Sequence, residues 1–271
     1  MTGTEKPYTV RGVDEILLDL RRVYGSDRAA LVWSSLTSAY DRLLFARHHL
    51  QLLRKAALPA VRQGLETSGF LEMINNDDDV EALFSQSMHQ IKMHVTDCIQ
   101  HMHAVGDTIA FTVYFFVEVP KESQLKKKSD IDLISVRKLL KNCPALPGAE
   151  AFLVLLDQLA EKGDYAYLSD LNNHAKHRSI VGPAVSLPCD VEVPENEQKN
   201  LLIFPMVEMK CPPPSLQNRG ATPCHAQRPI TPFVEGELAR IWDIYGQIRR
   251  EVEDQIRIAP SSAAYAAARG G

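Results

Sequence analysis

Between residues 80 and 116, apolar side chains recur at Val80, Phe84, Met88, Ile91, Val95, Cys98, Met102, Val105, Ile109, Val113 and Phe116, in steps of three and four throughout. Only an α-helix gathers such a series into one stripe. A stripe of roughly ten turns finds cover only against other helices, which predicts a helical bundle. After Asp107 the pattern changes: Ile109, Ala110, Phe111, Val113, Tyr114, Phe115 and Phe116 surround the helix axis. The C-terminal half of this helix must therefore be covered on several sides.

The rest of the chain supplies the other helices. Val13 to Tyr24 reads as a first helix, with Ile16, Leu17 and Leu20 on one face and Gly25 as its stop. A second begins at Ser26 or Asp27 and runs to Glu66, either as one very long helix or as two in series around Pro59. The acidic stretch NNDDDV caps the third. KESQLKKKSD is a charged loop, and Ser129 or Asp130 caps a shorter helix through DLISVRKLLKN. Pro144 and Pro147 separate it from GAEAFLVLLDQLAEKG, and Asp164 then caps YAYLSDLNNHAKHRS.

Beyond Gly182-Pro183 the texture shifts. AVSLPCDVEVP and KNLLIFPMVEMK, divided by ENEQ, predict a β-hairpin insertion over about 184–210, and their prolines suit edge strands. An irregular loop over 211–231 leads to a closing helix that starts at Pro232, and 261–271 reads as a disordered tail. With no internal repeat, the expectation is a single mainly α domain over 1–260 with long antiparallel helices.

Composition narrows the function classes. The 271 residues are 45% hydrophobic and 24% charged, with a formal net charge of -4 and a pI near 6.1. No global basic field exists, so contact with nucleic acid would rest on a local patch such as Lys121 to Lys128, which reads more simply as a solvated loop. The longest apolar run, IAFTVYFFVEV, is too short to span a bilayer, and the N-terminus lacks the basic-then-apolar order of a secretory signal. Five cysteines at wide, irregular spacing fit reduced thiols better than a disulfide framework. We expect a cytoplasmic protein with no membrane partner.

The stretch HQIKMHVTDCIQHMHAVGD concentrates histidines. At about 100° per residue, His94, Asp97 and His101 fall on one side of the third helix, and His103 with Asp107 on nearly the opposite side. The first trio has donors that suit zinc or iron if another helix adds a fourth. No HExxH motif or second matching helix strengthens that, and hydrogen bonds one turn apart account for the spacing, so no metal or other cofactor is expected. The same holds for Cys189, Cys211, Cys224 and His225, which contain no C-x-x-C pair. His103 and Asp107 border a face that should be buried, so Asp107 needs partners: His103 and a basic group from a neighbouring helix.

DLNNHAKHRSIVGP supplies a candidate neighbour. Leu168, Leu171 and Ala175 form its packing face, while Asp170, Asn173, Lys176 and His177 lie on the other and Arg178 between them. Basic groups in a last turn also simply complement the helix dipole. The pairing of His103-Ala-Val-Gly-Asp107 inside one helix with Asn173-His-Ala-Lys176-His177-Arg178 at the end of a later one resembles a bacterial group within the HEPN superfamily. That resemblance covers roughly Ser26 to Ile258. It implies an all-α, often dimeric bundle in a superfamily whose active members are metal-independent ribonucleases, with RNA and a second copy of the chain as partners.

On that resemblance His177 acts as general base or acid on the ribose 2′-hydroxyl, Arg178 or Lys176 stabilises the charged phosphorane, and Asn173 orients the group. His103, or a second subunit, supplies the other proton transfer. The sequence departs from the superfamily's motif, an arginine, usually followed by a polar residue, and then a histidine after four to six intervening positions, because no histidine follows Arg178 before His225. One string does fit that spacing, Arg42 with His48 or His49, but Leu43 replaces the usual polar follower and long helices generate such matches often. Two expectations therefore stand side by side. The residues His103, Asp107, Asn173, Lys176, His177 and Arg178 form the site of an RNA-processing or defence-associated protein, or they form a buried hydrogen-bond network in a non-catalytic interaction module.

Overall fold

The computed structural model describes residues 13–66, 78–119, 125, 127–146, 148–161, 164–177, 182–185, 202–204, 207–208 and 224–258. Most of the Lys121 to Lys128 patch, Arg178, Cys189, Cys211 and the 261–271 tail lie outside them, as does the His177 side chain. Seven α-helices occur among the described residues: α1 (Val13–Tyr24), α2 (Ser26–Glu66), α3 (Asp78–Phe116), α4 (Leu133–Asn142), α5 (Ala149–Glu161), α6 (Tyr165–His177) and α7 (Ile230–Ile258). The chain is mainly α, as the apolar periodicity requires.

The two long helices α2 and α3 run antiparallel. Arg28 at the start of α2 meets Phe115 and Phe116 at the end of α3, Ala46 meets Cys98, and His49 meets His94. Between them the α3 stripe is closed from water: Ile91, Val95, Cys98, Met102, Val105, Ile109, Val113 and Phe116 are all buried. Ala110 and Tyr114 join them and Phe111 and Phe115 are partly buried, which is the cover on several sides that the change of pattern after Asp107 demands. Helix α7 lies along α2 in the opposite sense, with the Tyr245 hydroxyl donating to the Leu36 carbonyl at 3.3 Å and Trp242 edge-on to Tyr40. Buried side chains of all seven helices and of Phe204 form one continuous core.

Arginines from neighbouring helices close two helix ends. Arg28 donates to the carbonyls of Phe115 and Phe116 and pairs with Glu118, satisfying the C-terminus of α3. Arg240 of α7 does the same for α5, donating to the Gln158 carbonyl at 2.8 Å and the Leu159 carbonyl at 3.2 Å. These carbonyls have no partner within their own helix, so each guanidinium satisfies acceptors that burial would otherwise leave unmade.

The expected boundaries change in two places. Lys128–Asp130 forms a single 3-10 turn, and α4 is capped by Asp132, whose carboxylate accepts from the Ser135 amide at 2.7 Å, rather than by Ser129 or Asp130. The loop read as irregular over 211–231 contributes two short strands, and α7 begins at Ile230. The strands are β1 (Ala184–Val185), β2 (Leu202–Phe204), β3 (Val207–Glu208), β4 (Cys224–His225) and β5 (Arg228–Pro229). The expected pairing of the two hairpin strands occurs between β1 and β2, antiparallel with Ala184 opposite Ile203. On its other side β2 pairs with β5, and β3 pairs with β4. Pro229 sits on the edge strand of its sheet, where its missing N–H costs least. Phe204 fixes this insertion to the bundle, edge-on to both Tyr167 of α6 and Phe233 of α7.

Helices α3 and α6 approach closely at Gly106. A Cβ there would stand 2.1 Å from the Tyr165 hydroxyl and 2.9 Å from Cζ of the same ring. Alanine is intrinsically better than glycine in a helix by about 1 kcal/mol. At this position Gly106→Ala should nevertheless destabilise the fold by about 1–3 kcal/mol, because the buried tyrosine must move. Chemical denaturation of the variant checks this; a gain in stability would show that Tyr165 does not pack here.

Candidate functional site

Of the six residues of the expected site, the side chains of His103, Asp107, Asn173 and Lys176 lie among the described residues. Tyr165, at the start of α6, lies across Gly106; its hydroxyl donates to the His103 carbonyl at 3.1 Å and its ring stacks on the His103 imidazole at 5.8 Å. Burial, helped by the nearby Asp107 carboxylate, drives the Tyr165 hydroxyl far above its ordinary pKa, so it remains a donor. The Oδ1 of Asp107 accepts from the Leu133 amide at 3.2 Å, at the N-terminus of α4, a partner beyond the His103 and α6 groups that the sequence suggests. An orphan amide at a helix start, aided by the dipole, is a strong partner for a carboxylate.

On α6 the polar face is also divided. Leu168 and Leu171 are buried as expected and Ala175 packs against the core. Asn173 is half-buried and Lys176 exposed, while Arg178 and the side chain of His177 lie outside the described residues. Asp170 does not share an open face with them. Its side chain is 11% exposed and pairs with His225 of β4 at 2.8 Å, so it holds the β insertion. Asn172, unnoticed in the sequence, is the buried amide of this helix.

Among the described residues, the densest grouping of reactive side chains lies on the seam between α2 and α3. His94 and Asp97 are one turn apart on α3, and the antiparallel register sets His49 of α2 directly against them. The Nδ1 of His49 is 3.2 Å from Nδ1 of His94 and 3.3 Å from Oδ2 of Asp97. One turn further along α3, His101 stacks on the His49 ring at a centroid distance of 6.0 Å and meets Phe45 at 5.3 Å. Arg42 stands close enough to His101 to lower its pKa. The Nε of Arg42 and the Nδ1 of His101 are buried and without a hydrogen-bond partner among the described residues.

Electrostatics sets the protonation of this seam. Burial, followed by the neighbouring His49, holds the His94 imidazole below its ordinary value of 6.5, and Asp97 opposes the shift without cancelling it. His101 is lowered by burial first, then by His49 and Arg42. Both rings are therefore neutral at pH 7 and keep a lone pair. Cys98, between them, takes no part: it is buried, its Sγ donates to the Ala46 carbonyl at 3.3 Å, and burial pushes the thiol up to about 12. The seam is open at Phe45, which is about half exposed, and at His48, which is exposed and edge-on to His49.

His49 is the residue that helical phase within α3 cannot supply. The spacing of Arg42 with His48 and His49 was the available signal, and its meaning depends on the pairing of two helices distant in sequence. No protein-family model, curated protein or solved structure matches this chain.

Proposed function

We propose that this chain is a HEPN-like helical-bundle protein of RNA processing or defence, and that it cleaves RNA by metal-independent acid–base chemistry on the α2–α3 seam. The observation that carries this reading is the meeting of Arg42 and His49, spaced on α2 as the superfamily's arginine and histidine are, with His94 and His101 of α3. His49, His94 and His101 then stand together on one seam, so separate imidazoles are available for the two proton transfers.

The roles follow from the surroundings. Neutral His101 accepts the proton of the ribose 2′-hydroxyl as that oxygen attacks phosphorus. His49, oriented by the Asp97 carboxylate, gives a proton to the departing 5′-oxygen, leaving a 2′,3′-cyclic phosphate. Arg42 stabilises the charge that builds on the phosphorane. Phe45, at the rim, offers a ring on which an unpaired base can stack. We keep with this reading a bacterial, cytoplasmic setting and the homodimer that the resemblance implies.

For His103 and Asp107 the second expectation, a structural network, has the better support. Asp107 is engaged at the start of α4 and His103 by the buried Tyr165. The test is cleavage of single-stranded RNA by the purified protein in excess EDTA. Wild type should cleave, and Arg42→Ala should lower the rate by about 10²–10³-fold, as loss of a transition-state charge partner does. Absence of cleavage by wild type on structured and unstructured RNA would overturn the proposal.

A further inference from the structure

The structure assigns a second capacity to the same seam: we infer that His49, His94 and Asp97 bind one divalent first-row transition ion, of which Zn²⁺ is the representative. Three donor atoms, Nδ1 of His49, Nδ1 of His94 and an Asp97 carboxylate oxygen, lie within 4.8 Å of one another. Two of the separations, 3.2 and 3.3 Å, coincide with a tetrahedral edge of about 3.3 Å for bonds of 2.0–2.1 Å. The ligands come from two helices whose register the core fixes independently, through the buried Ala46–Cys98 contact one turn away. The third separation, between His94 and Asp97, is within 4.8 Å, in reach of a common centre through side-chain adjustment alone.

Hydrogen bonding accounts poorly for the same arrangement. The Nδ1 of His49 carries either one proton or one lone pair, yet it faces both an imidazole nitrogen and a carboxylate oxygen. With a proton it can aim at only one of them well. Without one, it presents a lone pair to the negative oxygen of Asp97. A cation at the common centre satisfies all three donors at once.

The surroundings also define the class of ion. Two imidazoles and a carboxylate suit zinc, cobalt, nickel or iron, whereas magnesium and calcium prefer all-oxygen shells. The side chains of His49 and Asp97 remain 22% and 36% exposed, so a fourth position faces solvent, as in zinc sites that exchange a ligand. Cys98 is excluded as a ligand by its bond to the Ala46 carbonyl.

The inference stands on this geometry and not on the cleavage reaction. An ion on Nδ1 of His49 replaces the Asp97 contact that orients His49 for cleavage, so binding is measured without RNA. The experiment is calorimetric titration of EDTA-stripped, dialysed full-length protein with ZnCl₂, alongside Co²⁺ absorption and a MgCl₂ control. We expect one Zn²⁺ per chain, a four-coordinate Co²⁺ spectrum, and no heat with Mg²⁺. His94→Ala and Asp97→Asn, with folding confirmed by circular dichroism, should each weaken Zn²⁺ by more than about 100-fold, beyond the usual cost of losing an outer-shell partner. Wild type that binds no Zn²⁺, or variants that bind it unchanged, would overturn the assignment. If His94→Ala fails to fold, the more exposed Asp97→Asn decides alone.

Discussion

Arg240→Ala should cost about 3–5 kcal/mol of folding stability, the usual penalty for stranding one partner of a buried ion pair. Glu237 is 4% exposed. Its two carboxylate oxygens accept from Nε of Arg240, at 2.9 Å, and from Nη2. The same guanidinium holds the Gln158 and Leu159 carbonyls at the end of α5. Removing it leaves a carboxylate and two helix-end acceptors without their donors. Lysine cannot reproduce a fork that serves a carboxylate and two carbonyls together, so Arg240→Lys should recover only part of the loss. Adding Glu237→Gln to Arg240→Ala should recover stability, because the stranded charge is then gone. Denaturant unfolding checks all three, and a loss below about 1 kcal/mol for Arg240→Ala would place this pair among ordinary surface contacts.

His49→Ala should lower RNA cleavage by about 10²–10⁴-fold, the range for losing a positioned proton donor. Its side chain is partly open to solvent, so truncation leaves the α2–α3 core in place. Asp97→Asn should cost less, since Asp97 orients His49 rather than touching substrate. Equal losses would assign Asp97 a larger part, and unchanged rates in both would exclude the seam.

The long-range architecture was legible because its signals are periodic. The α3 stripe, the Gly25 stop with its positive φ of 79°, and the start of α2 at Ser26 follow from local rules. Strands of two or three residues carry no period, so β4 and β5 were hidden inside an apparent loop. Asp107 shows a different limit: a histidine one turn away is visible in the sequence, whereas the Leu133 amide that engages it arrives only with α4. The same holds for Asp170, whose partner His225 belongs to the β insertion. His94, Asp97 and His101 could be placed on one side of a helix, but the identity of the facing residue required the register of α2.

That register carries the central claim, that the reactive surface is the α2–α3 seam and not the end of α6. Side-by-side cleavage of one single-stranded RNA in EDTA by wild type, His49→Ala and His177→Ala, each verified as folded, tests it most directly. Loss of cleavage with His49→Ala and its retention with His177→Ala is the predicted result. Retention with His49→Ala and loss with His177→Ala would contradict the claim and return the chemistry to the helix end.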